Sequence, residues 1–352
     1  MGNLISDTYT FTDLANRYGN FLVPAFQILI DGQNVLGENK ISVGNLQIYL
    51  SLHYASSAAF EITGAYDQKE RTFLDSVKHA VSPGKTIEVQ VGYLSAFETV
   101  FQGYIASASM NVSENPYLSI TAMDAKRLMM DGYRERYFDD ESYAGIVAAV
   151  MDEYASLCSL EENTAEGSLT KKVYQKGSDF TFLTDHISKV TDKEFLLFCG
   201  KGYFRTPKGT AAELITLEYG KSLLSFTKQS DYLDLHVVAT GYDKKEQVFL
   251  IGESSAKTAK DGILTSPPSE ISIYSDTDNI KDLSAIADHI AREKESKAKS
   301  GFGRCIGLPQ IVPGRLLKIE NTDSLMNGTY YVIEVRHRID GQGFITEFKT
   351  EG

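Results

Sequence analysis

Tryptophan is absent from this chain of 352 residues, and cysteine nearly so, at three. Cys158, Cys199 and Cys305 lie far apart with no C-x-x-C spacing. That excludes a disulfide framework or a clustered thiolate zinc site, and fits buried thiols in a reducing compartment. The missing tryptophan counts against a carbohydrate-binding module, because sugar platforms favour exposed indoles. Positive charge is also in deficit: 35 Lys and Arg stand against 47 Asp and Glu, a formal net charge of −12. A general nucleic-acid or anionic-membrane binder needs clustered Lys and Arg, and no basic run occurs. No apolar run approaches the roughly 20 residues that span a bilayer. The opening MGNLISDTYTFTDLANRYG has neither a basic nor an apolar leader region, so no secretory signal is expected. Gly2 and Ser6 match a loose N-acylation pattern that is common by chance.

Catalytic signatures are missing too. The six histidines are scattered, without H-E-x-x-H or an i,i+4 pair. No G-x-S-x-G, Walker loop or G-x-G-x-x-G is present; Gly200-Lys201-Gly202 and Gly341-Gln342-Gly343 read as hairpin turns. The carboxylate pairs Asp139/Asp140 and Glu161/Glu162 are neighbours in sequence. A glycosidase needs two carboxylates held about 5–10 Å apart across a cleft. Asp139-Asp140-Glu141-Ser142 instead reads as a helix N-terminus. His337, in Val335-Arg336-His337-Arg338, is expected on a strand whose alternate residues face solvent. Tyr133, Tyr137 and Phe138, interleaved with Arg134 and Arg136, form either a partner-binding patch or a hydrophobic staple anchoring the next helix. The staple is the favoured reading. No catalytic, cofactor-binding or metal-ligating residue is assigned, and no cofactor is expected.

What the sequence does contain is alternation. Residues 25–31 (AFQILID), 46–53, 59–63, 86–93, 99–107 and 117–123 read as strands, with a short helix at 71–79. A helix is expected over 142–154, a polar surface loop over 158–171, and a strand over 213–219. Residues 171–206 read as strand, helix and β-hairpin: Ser178 or Asp179 caps a helix carrying Phe180, Leu183, Ile187 and Val190, and an apolar strand turns at Gly200. Strands follow over 232–242 and 247–251 around an Asp243-Lys244 turn. A Ser/Thr-rich exposed loop is expected over 253–275 and a helix over 279–299. The fold class is β-rich α+β, with two related small antiparallel β-barrel domains and an intervening α/β region. Boundaries fall at 1–124, 125–228 and 229–352.

The two barrels rest on an internal repeat. Pro83-Gly84-Lys85-Thr86-Ile87-Glu88-Val89 resembles Pro313-Gly314-Arg315-Leu316-Leu317-Lys318-Ile319. Each is followed by a glycine-initiated strand, at Gly103 and Gly328, and by a closing strand, at 118–123 and 344–349. Ile87 and Val89 then correspond to Leu317 and Ile319.

In order and spacing, several of these motifs resemble those of the baseplate hub family of phage late control protein D and VgrG. They are G-S-D-F-T-F-L with E-F-L-L-F, residues 84–92 with 100–105, Met123-Asp124-Ala125, Gly307-Leu308-Pro309, Pro313-Gly314, and Asn327-Gly328-Thr329-Tyr330-Tyr331-Val332. The resemblance implies a structural hub of a contractile phage tail, a bacteriocin or another contractile injection system. It further implies a homotrimer whose six look-alike barrels meet a hexameric tail tube or tube-initiator protein. The trimer would also carry a separate central spike protein and touch other baseplate proteins. It implies neither an enzyme nor a specific nucleic-acid binder, and assembly in the bacterial cytoplasm. VgrG continues into an OB-fold and a spike, whereas Gly352 here follows the second barrel, so no spike function is carried over. The competing classes are a β-domain binding or adhesin module outside a tail, and an unrecognised enzyme.

Overall fold

The computed structural model describes residues 3–34, 41–139, 141–165, 172–208, 212–243, 245–258, 267–275 and 277–352. Gly2, Asp140, Lys171 and Lys244, and the middle of the loop expected over 253–275, lie outside the described residues. Thr10 opens α1 (Phe11–Arg17) by accepting from the Asp13 amide. The strands β1 (Pro24–Ile30), β2 (Ser42–Ser51) and β3 (Ser57–Thr63) follow. Next come a two-stranded ribbon, β4 (Tyr66–Asp67) with β5 (Thr72–Phe73), and α2 (Asp75–Ala80). This helix is shorter than the expected 71–79, because Arg71 takes a positive φ and Thr72–Phe73 pairs back on Tyr66–Asp67. A meander of β6 (Thr86–Tyr93), β7 (Ala96–Asn111) and β8 (Tyr117–Met123) leads into α3 (Ala125–Asp131).

The middle contributes β9 (Arg134–Asp139), α4 (Tyr143–Asp152), β10 (Ser159–Asn163), β11 (Lys172–Gly177) and α5. In α5, Asp179–Thr181 runs through a π-helical turn, Phe182–Ile187, into Ser188–Thr191. Ser142 and Ser178 cap the two helices by accepting from the Gly145 and Thr181 amides. The hairpin β12 (Glu194–Phe198) and β13 (Lys201–Arg205) turns at Cys199-Gly200, both with positive φ, the requirement of a tight hairpin turn. Residues 159–163, expected as loop, pair in parallel with β13. The helices pack Ile146, Val147, Leu183 and Ile187 onto Phe195 and Leu197 in a second core.

The remaining strands are β14 (Glu213–Glu218), β15 (Leu223–Lys228), β16 (Asp234–Asp243), β17 (Val248–Lys257) and β18 (Ser269–Tyr274). After α6 (Ile280–Lys297) come β19 (Gly301–Ile306), β20 (Leu316–Glu320), β21 (Gly328–Asp340) and β22 (Gly343–Glu351). Within the expected loop over 253–275, residues 253–257 and 269–274 are strand, since β17 and β18 flank β16 and α6 covers one face. The Ser-rich composition there belongs to strands. A Cβ at Gly252 would sit 2.5 Å from the Leu283 backbone, so the close approach of the helix requires glycine.

Among the described residues twelve strands form one sheet, and it divides into two halves. The first runs β1-β6-β7-β8-β3-β2 and the second β14-β20-β21-β22-β19-β15, the same order in space and along the chain. The repeat extends to single bonds. Gly84 N donates to Ile105 O and Ile105 N to Lys85 O; Gly314 N donates to Val332 O and Val332 N to Arg315 O. Both central strands bulge at the same place, after Ile105 against β8 and after Val332 against β22. Ile87 and Val89 do match Leu317 and Ile319, but Gly103 matches Tyr330, not Gly328, because Ile87 faces Gly103 where Leu317 faces Tyr330. The departure is the first strand: β1 is antiparallel to β6, whereas β14 is parallel to β20. β14 and β15, assigned by sequence to the middle region, pair with β20 and β19 in the second half. The halves join through β2 and β21, and their apolar residues form one contiguous core. Among the described residues no ladder joins β1 to β2.

Candidate functional site

The junction of the halves is where the fold concentrates buried polar groups. Leu46 through Ser51 of β2 pair with Ile339 through Glu334 of β21, so Ile48 faces His337 and Leu50 faces Val335. Alternation turns Leu46, Ile48, Leu50, Val335, His337 and Ile339 inward. His337 is therefore fully buried, not on a solvent-facing row. Its Nδ1 lies 3.0 Å from Thr346 Oγ1, which also accepts from the Leu308 amide at 3.0 Å. Burial pushes the imidazole down to about 3, opposed in part by the Ile311 backbone, and holds it neutral. On the outer face of this seam, Tyr49, Ser57, Glu334, Arg336 and Lys349 line a shallow polar groove.

Beneath the seam, residues 307–315 are buried throughout. A buried loop needs partners for its backbone, and the surrounding elements supply several here. Tyr93 Oη donates to Gly307 O at 2.9 Å, Gly307 N to Phe344 O at 3.0 Å, and Arg205 Nη2 to Gly314 O at 2.7 Å. Gln310 Nε2 donates to Tyr18 Oη at 2.6 Å. Arg205 also pairs with Glu194 at 3.1 Å, and Tyr331 Oη donates to the same carboxylate. Arg315 is fully buried and donates to the carbonyls of Leu4 and Asp7, each at 2.7 Å. Burial, with Arg205 nearby, pushes its guanidinium down to about 10. The N-terminal segment is thereby bolted to the second half.

The tyrosines of the DGYRERYF stretch lie outside. β9 pairs with β11, which turns Tyr137 and Tyr174 outward in a stacked pair 4.6 Å apart, with Tyr133 exposed beside them. These tyrosines do not staple the helix, whereas Phe138 turns inward and stacks on Phe182 in the second core. The inward row does that work: Arg136 and Arg134 meet Asp179 at 2.8 and 3.0 Å, and Tyr154 Oη donates to Asp179 at 2.6 Å. A second exposed apolar group, Phe249, Ile251 and Tyr274, lies on β17 and β18.

Glu161 and Glu162 lie on β10 and Asp139 on β9, in different sheets. Among the described residues no group of three His, Cys, Asp or Glu could hold a metal ion. No helix among them is long and apolar enough to cross a membrane. Burial raises the thiols of Cys158 and Cys305. Sequence reasoning missed Arg315, Asp179 and the buried pair Lys126–Asp124, 3.5 Å apart, because a charge beside a strand or helix cap reads as surface. Only the Pro-Gly turn preceding Arg315 hinted at its setting.

This architecture matches solved structures across nearly its whole length. A tail protein from Neisseria meningitidis MC58 aligns with a TM-score of 0.69 at 14% identity, covering 94% of this chain and 97% of that one. The 43 kDa tail protein of prophage MuSo2 from Shewanella oneidensis aligns with a TM-score of 0.68 at 12% identity, covering 93% and 98%. The Escherichia coli c3393 protein, a type VI secretion component, aligns with a TM-score of 0.56 at 10% identity, covering 92% and 76%. At such identities the likeness is one of fold. No curated protein matches the chain. The family described as the Alg8 N-terminal domain matches residues 21–341. With more than half of its length so matched, the chain belongs to the Alg8 N-terminal domain family.

Proposed function

We propose that this chain is a structural baseplate hub of a contractile phage tail or tail-like particle. Three copies form a ring that joins a hexameric tail tube on one side to a central spike on the other, among the other baseplate proteins. The observation that carries this reading is the duplication: two half-sheets with the same strand order, turn bonds and bulge. A trimer of such chains offers six similar surfaces to a sixfold tube while keeping threefold symmetry for the spike. The fold shared with tail proteins supports the same reading. Its action is mechanical: seating the spike, matching symmetries and starting tube growth. The test is native mass spectrometry of the full chain, alone and mixed with the tube and spike proteins of its own particle. A trimer that binds both is expected. A ring of another order, or a chain that binds neither, overturns the proposal.

A further inference from the structure

The seam between the halves has a counterpart that no described strand uses. Along one edge of β21, residues 328–331 pair with β20 and residues 334–339 receive β2. β7 is its equivalent: Ile105 matches Val332, so 107–112 match 334–339. Residues 96–104 of β7 pair with β6, and among the described residues no strand pairs with that edge from 107 to 111. β15, the equivalent of β2, ends the sheet. Beyond β19 it makes only a single bridge, at Leu223, among the described residues.

Side-chain exposure tells the same story independently. Where β2 covers the edge, His337 and Ile339 are 0% and 7% exposed; their equivalents Met110 and Val112 are 55% and 68% exposed. Both continue the inward row of Ile105 and Ala108, and run out past the core into solvent.

We propose that β15 of one copy of this chain adds to the free edge of β7 in the next, in the register that β2 uses on β21. The register follows from the ladders. Ala122 and Thr350 are equivalent as the partners of Ile105 and Val332, so their other neighbours Ala58 and Gly301 match, and Ile48 matches Lys228. Lys228 then lies opposite Met110, Gln229 opposite Ser109, and Thr227 opposite Asn111. The aliphatic stem of Lys228 covers Met110, and Phe226 faces Val112. Two different edges meet, so the contact is head-to-tail and closes a ring when the rotation fits. It also covers the free edge of β15 and that of residues 107–112 of β7. The number of copies rests on the hub reading.

Disulfide trapping on the full chain tests the register. The double variant Met110→Cys with Lys228→Cys, oxidised in solution, is expected to give covalent oligomers ending in a closed trimer. Either single variant stays monomeric on a non-reducing gel. So does Met110→Cys with Thr227→Cys, whose second thiol points to the other face. No covalent oligomer from the matched pair, or equal yield from the mismatched one, overturns the seam. Met110→Lys, which sets a second ammonium opposite Lys228 and is exposed in the monomer, is expected to weaken association at least tenfold with an unchanged circular dichroism spectrum; unchanged association overturns the seam. A trimer by mass that does not link here leaves the hub reading standing without this interface. A chain monomeric at every concentration overturns both.

Discussion

His337 shows how a single register decides a residue's chemistry. In the unfolded chain its imidazole titrates near the usual value of about 6.5, whereas in the folded seam burial holds it at about 3. The folded-state pKa is the lower one, so the unfolded state takes the proton first. Its contribution is complete above about pH 6.5 and is lost as pH falls toward 3, at up to about 1.4 kcal/mol per pH unit. Urea unfolding of wild type and His337→Gln between pH 7 and 4.5 checks this. The variant is expected to lose stability less steeply, because its amide keeps a partner in Thr346 and takes no proton. Equal slopes would show that His337 does not titrate across this range.

Among the elements, the buried 307–315 loop and the paired meanders hold the halves in place. The glycine at 307 is dictated by its neighbour: a Cβ there would sit 2.1 Å from the Phe344 ring. Gly307→Ala must displace that ring, which packs on Tyr93 and His337 in the seam. A loss of about 1–3 kcal/mol, typical of overpacking, is expected by chemical denaturation; Gly341→Ala, where a Cβ meets open space, serves as the neutral control. The strands of these meanders were legible from alternation, as at residues 117–123, where one face is buried. The bulges at Ile105 and Val332 were not legible, since an extra residue in a ladder is a property of the pair.

At the scale of the whole molecule, the N-terminal segment acts as a strap across the second half. It supplies the carbonyls that hold Arg315 and, through Tyr9, an amide to Leu214 O at 2.8 Å. Deleting residues 1–9 leaves a buried guanidinium without these partners. A loss of about 3–5 kcal/mol is expected, read from the shift of the urea midpoint. Arg315→Met in the shortened chain should recover part of it, since an apolar chain of similar length needs no partner. Equal stability of the full and shortened chains would show that the strap does not hold the fold.

Local pattern by itself determined where most strands and helices lie, the helix N-termini around Ser142 and at Ser178 or Asp179, a hairpin at Gly200, read over 200–202 but turning at Cys199-Gly200 with Lys201 and Gly202 in the strand, and the duplication at its Pro-Gly turns. These are written in alternation and turn chemistry, which act over a few residues. Only the tertiary structure decided that Tyr137 faces solvent while Arg136 faces Asp179, that β14 and β15 join the second half, and that Arg315 is buried. Those outcomes depend on which strand finds which edge. That choice is made by contacts between residues more than a hundred positions apart, such as Glu213 with Leu316 or Arg315 with Leu4, and no local periodicity records it.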